Sequence, residues 1–245
     1  MAAVPQIPRR SPRTRAPRPR ALSDAEVASE AFRVLRANLL VALSDTESPT
    51  VVITSALPNE GKTAVCANLA VSLAESGLRV VAIDVDLRHP GLHAQLGAHN
   101  EKGLSDVLLE KATVDAALQF VPVGRGDRGL YLLPTGSPVN DPTELLSRTR
   151  MSRLLERLTH QSDVVLLDTP PVLPVADTLV IGRMVSGALL VVASRETTHP
   201  SALQAKNALT RNQTRLLGVV LNKVQARDLD NAGMGYGYGY YPDGG

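Results

Sequence analysis

The stretch V-V-I-T-S-A-L-P-N-E-G-K-T, residues 51–63, runs from β-branched residues into a glycine-lysine-threonine and then into a helical pattern. A loop of this kind between a strand and a helix turns its backbone N–H groups inward, and the helix N-terminus adds its dipole, so the pair binds anions. Lys62 is placed to reach the β- and γ-phosphates of a nucleotide as a point charge, and Thr63 to offer its hydroxyl to Mg²⁺. Pro58, Asn59, Glu60, Gly61 and Ala64 complete the candidate nucleotide-binding loop. The first glycine of the usual G-x-x-x-x-G-K-[ST] pattern is replaced here by Ala56.

Carboxylates follow at strand ends. V-A-I-D-V-D-L-R-H-P (81–90) closes a hydrophobic run with Asp84 and Asp86, and V-V-L-L-D-T-P-P (164–171) closes another with Asp168. A single aspartate after a strand is commonly a turn or cap residue. Three beside a phosphate loop suit a hard cation that takes oxygen ligands and keeps several waters, with Thr63, Asp86 and Asp168 as candidate metal residues. Near the last apolar run comes L-N-K-V (221–224), with Gln225 where a guanine site would carry aspartate. That favours adenine, with Asn222 as its candidate contact.

Working outward, short apolar runs at 51–54, 79–84, 130–134, 164–168, 188–193 and 216–221 are rich in Val, Ile and Leu on both faces, as strands of a covered parallel sheet are. Helical patterns fall at 23–43, 62–76, 143–159 and 201–213, the first with Ser23 and Glu26 as a capping box and the last following Pro200. The alternation predicts an α/β, doubly wound domain with a mainly parallel sheet and ligands at the carboxyl ends of its strands.

The chain has 245 residues and a formal net charge of +2, but the charge is uneven. Residues 1–20 hold six arginines, five prolines and no acid, leaving 20 basic against 24 acidic residues in the remainder. The expected organisation is a disordered Arg/Pro-rich arm over 1–22, one phosphate-loop domain over 23–228, and a flexible Gly/Tyr tail over 229–245. The lone Cys66 excludes an intramolecular disulfide and a cysteine-cluster metal site, and its small-residue surroundings predict a core position. No apolar run approaches the ~18 residues of a membrane span.

The constellation resembles the cytoplasmic kinase domain of the bacterial tyrosine kinases tied to capsule and exopolysaccharide production, a branch of the P-loop NTPases related to the partitioning and division-site ATPases. The matching pieces are E-A-F-R-V-L-R-A-N-L (30–39), the phosphate loop, D-V-D-L-R-H-P-G-L-H (84–93), G-L-S-D-V-L (103–108), G-S-P-V-N-D-P-T-E-L-L (136–146), D-T-P-P (168–171) and a closing tyrosine cluster. The resemblance implies an ATP- and Mg²⁺-dependent protein-tyrosine kinase with Lys62, Asp84, Asp86 and Asp168 in the catalytic set. It also implies oligomerisation, ring-like and through the first helix, by Glu30, Arg33 and Arg36. The implied partners are a membrane activator of the chain-length-regulator type and a tyrosine phosphatase. The implied location is cytoplasmic, at the inner face of the membrane. Leu57 stands where the partitioning ATPases carry an extra lysine, which favours the kinase.

Within that frame Asp84 is the candidate to accept the tyrosine proton, and Arg88 either touches phosphate or pairs with a surface acid. Four of the five tyrosines, Tyr236, Tyr238, Tyr240 and Tyr241, are the candidate acceptors, to be phosphorylated by a neighbouring subunit. Two rival readings stay open: an ATPase that acts as a spatial switch without kinase activity, and a nucleic-acid binder using the arginine arm. An acidic body with two Phe and no Trp speaks against the second.

Overall fold

A computed structural model describes residues 2–5, 24–124, 127–147 and 149–225. In chain order the elements are β1 (Ala2–Pro5), α1 (Asp24–Ala42), β2 (Thr50–Ser55), α2 (Lys62–Glu75), β3 (Val80–Asp84), α3 (Leu92–Gln95), α4 (Leu104–Leu108), α5 (Val114–Ala117) and β4 (Gln119–Pro122). They continue with β5 (Gly129–Leu133), α6 (Pro142–Leu146), α7 (Thr149–Gln161), β6 (Val164–Asp168), α8 (Asp177–Gly182), β7 (Gly187–Ala193), α9 (His199–Arg211) and β8 (Leu216–Val224). The described strands form one sheet in the order β1-β8-β7-β2-β6-β3-β5-β4, parallel except for the antiparallel β4–β5 pair.

All six expected strands form, because runs apolar on both faces can be buried only between two layers of helices. One layer contains α1 and α2, whose Phe32, Leu35, Leu39, Leu69 and Leu73 pack on Ile53, Ala82 and Leu166. The other contains α7 and α9, whose Leu154, Leu158, Ala205 and Leu209 pack with Val52, Ile83 and Leu167. Arg36 fastens the first layer by donating to the Ser72 carbonyl of α2 at 2.6 Å.

Three features depart from the sequence reading. The expected helix over 143–159 is two: Asp141 caps α6 by accepting the Glu144 N–H at 2.9 Å, Pro142 fits its first turn, α6 ends at Leu146 with Ser147 as its C-cap, and α7 begins at Thr149. Residues 2–5, inside the expected disordered arm, pair along β8 as an edge strand. This segment, A-A-V-P, precedes every arginine of the arm, and Pro5, which lacks an N–H, sits at the strand's end. The antiparallel β4 was not expected at all. Ser23, the rest of the arm, and the four tail tyrosines Tyr236, Tyr238, Tyr240 and Tyr241 lie outside the described residues. No helix among the described residues is long and apolar enough to cross a membrane.

The packing of α1 makes a direct prediction. Leu39→Ala, at a buried side chain, is expected to lower the unfolding free energy by about 2–5 kcal/mol. Val41→Ala, two residues along but 76% exposed, shifts it by less than ~0.5 kcal/mol. Urea denaturation reads both, and equal losses would contradict the described face of α1.

Candidate active site

The strand order places β6 between β2 and β3, with Ile53 opposite Asp168 and Asp168 opposite Asp84 in register. Three strands therefore end together, and the loop after β2 lies over them. The two core clusters bury the strands, so Asp84 and Asp168 emerge from a dry environment and are themselves fully buried.

The loop 55–63 holds its shape through two left-handed residues, Asn59 at φ 64° and Gly61 at φ 89°. Gly61 is required twice over, since a Cβ there would also collide with the Asn222 side-chain nitrogen. Ala56 has no positive φ, so the missing first glycine costs the loop nothing. The first turn of α2 begins at Lys62 and leaves N–H groups without intrahelical acceptors at the mouth of the loop.

Lys62 leans across the strand ends. Its Nζ lies 2.8 Å from Asp86 Oδ2, 3.2 Å from the Thr63 hydroxyl and 3.7 Å from Asp168 Oδ1. Burial works to lower its pKa, but Asp168, Asp86 and Asp84 outweigh burial and hold it above the ordinary lysine value. Asp86 also accepts the His89 N–H at 3.0 Å. Asp84 spends both oxygens on main-chain amides: Oδ1 on Asp86 at 3.2 Å, Oδ2 on Gly91 at 3.0 Å and Leu92 at 2.9 Å. Burial raises the Asp84 pKa and those amides partly oppose the rise. Asp168 differs. Neither of its oxygens has a hydrogen-bond partner of ordinary geometry. Burial raises its pKa to about 7, against the opposing effects of Lys62 and the nearby Thr63 hydroxyl.

Arg88, left open between phosphate and a surface acid, pairs with an acid that is fully buried. Its Nε donates to Asp177 Oδ2 at 2.8 Å and its Nη2 to Asp177 Oδ1 at 3.2 Å and the Thr143 hydroxyl at 3.1 Å. Sequence reasoning missed Asp177 and Thr143, although Thr143 lies in the quoted 136–146 stretch. Asp106 of 103–108 likewise accepts the Ser137 hydroxyl at 2.7 Å and the Gly103 N–H at 3.0 Å, joining two quoted stretches into one rim. Asn222 donates to the Glu60 carbonyl at 2.9 Å, which brings it to the wall of the phosphate loop. Pro58 is exposed on the loop's outside, and Thr63 and Ala64 are half-buried in the first turn of α2. Cys66 is buried, and burial pushes its thiol pKa well up, as expected of a core cysteine.

Of the oligomerisation candidates, Arg33 pairs with Glu30 at 3.0 Å on the outer surface of α1, both more than half exposed. Arg36 does not join them: it faces α2. Two surface cavities, of about 230 and 560 Å³, open at the opposite end of the strands beside Arg79 and Tyr131 and beside Thr50 and Ser186, and neither includes a residue of the cluster.

Among the described residues no three His, Cys, Asp or Glu side chains form a ready-made cation cage. The donor set nonetheless fits Mg²⁺ brought in with phosphates: a buried carboxylate with neither oxygen hydrogen-bonded, a hydroxyl at the helix start and a lysine between two acids. Mg²⁺ is bound in just this way, through one or two protein oxygens, substrate phosphates and retained waters.

The raised pKa of Asp168 has a sign that can be checked. Its value is 3.8 when unperturbed and about 7 in the fold, so between these the folded chain binds the extra proton and loses stability as pH rises. In EDTA, Asp168→Asn is expected to gain on the parent in melting temperature as pH climbs from ~4 to ~7. A constant difference across that window would contradict the described burial.

Comparison with known proteins agrees with the geometry. The nucleotide-binding domain model of the CobQ/CobB/MinD/ParA family matches residues 51–234. The tyrosine-protein kinase YwqD of Bacillus subtilis is 39% identical over 194 residues, covering 79% of this chain and 80% of that protein. The tyrosine-protein kinase etk of Escherichia coli is 37% identical over 203 residues, 83% of this chain but 27% of the longer relative. Among solved structures, the kinase domain of E. coli ETK superposes with a TM-score of 0.81 at 35% identity, covering 98% of this chain and 94% of that one. The Pyrococcus furiosus cell division ATPase MinD gives 0.62 at 25% identity, covering 76% and 79%. With its loop, its strand-end carboxylates and its sheet order all in place, the chain belongs to the bacterial tyrosine-kinase branch of the CobQ/CobB/MinD/ParA nucleotide-binding family.

Proposed function

We propose that this chain is an ATP-dependent protein-tyrosine kinase that phosphorylates the cluster Tyr236, Tyr238, Tyr240 and Tyr241 of a neighbouring copy and thereby regulates exopolysaccharide or capsule synthesis. The observation that carries the reading is the Lys62 ammonium held between Asp86 and Asp168 under the phosphate loop. It is supported by identity to proteins named as tyrosine kinases.

In this reading the loop amides of 58–64 hold the phosphates, and Lys62 swings from its carboxylates onto the β- and γ-oxygens, a point charge where negative charge is redistributed. Thr63, Asp86 and Asp168 would hold Mg²⁺, which when bound would neutralise charge on the phosphates. Asp84, next to Asp168 in register, takes up the tyrosine proton. Asp84 in addition fixes loop 85–92 through its three amides. Asn222, with its nitrogen engaged by Glu60, meets adenine through its amide oxygen.

The partners in this reading are further copies of the chain in a ring through α1, a membrane activator of the chain-length-regulator type that recruits the kinase to the inner membrane face, and a tyrosine phosphatase. The MinD likeness keeps one second reading in view, an ATPase switch that never labels tyrosine.

A mixing experiment separates the two. A Lys62→Met chain that keeps its tail is incubated with an active chain whose four tail tyrosines are Phe, with Mg²⁺-ATP and a peptide from the activator's cytoplasmic end. Phosphate is expected only on the Lys62→Met chain by peptide mapping. ATP hydrolysis without any tyrosine label would establish the switch instead.

The ring makes a further prediction. Glu30→Ala with Arg33→Ala removes an exposed pair worth at most ~0.5 kcal/mol within one chain, so the melting temperature is expected to hold while light scattering reports a monomer. An unchanged oligomer mass would remove α1 from the assembly.

A further inference from the structure

Glu60 is the one acidic residue within the phosphate loop, and its side chain is turned inward, 3% exposed. A carboxylate behind an anion-binding loop works against the loop's own task by repulsion, so its presence there asks for another role. Its Oε2 accepts the Leu57 N–H at 3.0 Å, closing the loop on itself across three residues. Its Oε1 accepts the hydroxyl of Thr197, 137 residues away in the turn between β7 and α9. Thr197 in turn accepts the Ala193 N–H at 2.8 Å. A hydroxyl has one proton to give, and with Ala193 donating to it, that proton is directed at Glu60.

Nothing in the local helix explains this threonine. The cap of α9 is the next residue, Thr198, whose hydroxyl accepts the Ser201 N–H at 3.3 Å. The turn that presents Thr197 contains Arg195 at φ 66°, a left-handed conformation unusual for a residue with a Cβ. The same turn is tied to β8 by Ser194 N–H to Asn222 carbonyl at 2.8 Å and by the Lys223–Glu196 ion pair at 2.6 Å. It is thus a fixed platform, and the Thr197–Glu60 hydrogen bond joins the phosphate loop to it.

We infer that Thr197 is a positioning residue for nucleotide binding: its hydroxyl orients the Glu60 carboxylate, which holds the Leu57 amide and so sets the curvature with which residues 58–63 meet the phosphates. This rests on the nucleotide-binding part of the proposed function and goes beyond it by placing a determinant of the loop's shape outside the loop. Removing the hydroxyl leaves a buried carboxylate oxygen without its donor, and the loop must relax to rehydrate it.

The test is calorimetric titration of the full chain with Mg²⁺-ADP. Thr197→Val is expected to bind about tenfold more weakly than the parent, the size of a lost hydrogen bond to a charged group. Thr197→Ser, which keeps the hydroxyl, returns to within about twofold. In a Glu60→Ala background the Thr197→Val change costs under about twofold, because its only route to the loop is gone. Thr197→Ala reads the same loss if valine's second methyl disturbs the turn. Parent-like affinity in both Thr197→Val and Thr197→Ala, or a full penalty persisting without Glu60, would overturn the inference while leaving the kinase reading intact. A parent chain that fails to bind ADP would overturn the nucleotide site itself, and this inference with it.

Discussion

One ammonium group sits among three carboxylates at the ends of three parallel strands, and the architecture around it keeps water away from that arrangement. Lys62 meets Asp86 and Asp168 directly, with Asp84 next to Asp168 in register. The sum is negative, in surroundings where burial already disfavours charge. A bare triphosphate entering here would add repulsion; a triphosphate that carries a divalent cation would not. The fold sets this balance by its strand order, since placing β6 between β2 and β3 is what lets the loop from one strand overhang the acids of the other two.

The rim of the site is held by side chains that reach across from distant segments. Arg88 ties the loop after β3 to the starts of α6 and α8 through Thr143 and Asp177. A bidentate guanidinium–carboxylate pair with its acid buried fixes direction as well as distance, which a lysine at this place would not do. Asp106 joins the start of α4 to the turn after β5, and its hydrogen bonds from Ser137 and Gly103 outweigh burial to hold its pKa below the usual carboxylate range. These contacts give physical content to stretches 103–108 and 136–146, which in the sequence were recognisable without a mechanism.

What could be read in advance follows from the range of each interaction. Apolar runs covered on both faces betray central parallel strands, and an aspartate at the close of such a run betrays the carboxyl edge where ligands are expected; Asp84 and Asp168 were legible for that reason. β4 was not, because Q-F-V-P is four residues long, ends in proline and sits at an edge where neither face must be apolar throughout. The break between α6 and α7 was not legible either, because apolar residues continue on both sides of it, from Leu145 and Leu146 to Met151 and Leu154. Arg88 with Asp177, and Glu60 with Thr197, are separated by 89 and 137 residues, and no local pattern announces which buried acid or hydroxyl a side chain will find. The inward turn of Arg36, in a helix where Glu26, Glu30 and Arg33 face out, belongs to the same class.

The pairing of β1 with β8 is parallel and sets Pro5 opposite Val224. Pro5 and Val224 therefore lie at one corner of the sheet, and in sequence the six arginines follow the first between residues 9 and 20 and the four tyrosines follow the second between 236 and 241. Covalent geometry limits the tethers, since eleven residues from Gln225 to Tyr236 span at most about 40 Å and four from Pro5 to Arg9 about 14 Å. Segments moored this closely meet at an effective concentration set by their tethers and not by the solution. In the kinase reading, each phosphate on those tyrosines adds about −1.5 to −2 charges to a segment tethered at the same sheet corner as the stretch of sequence that holds the six arginines.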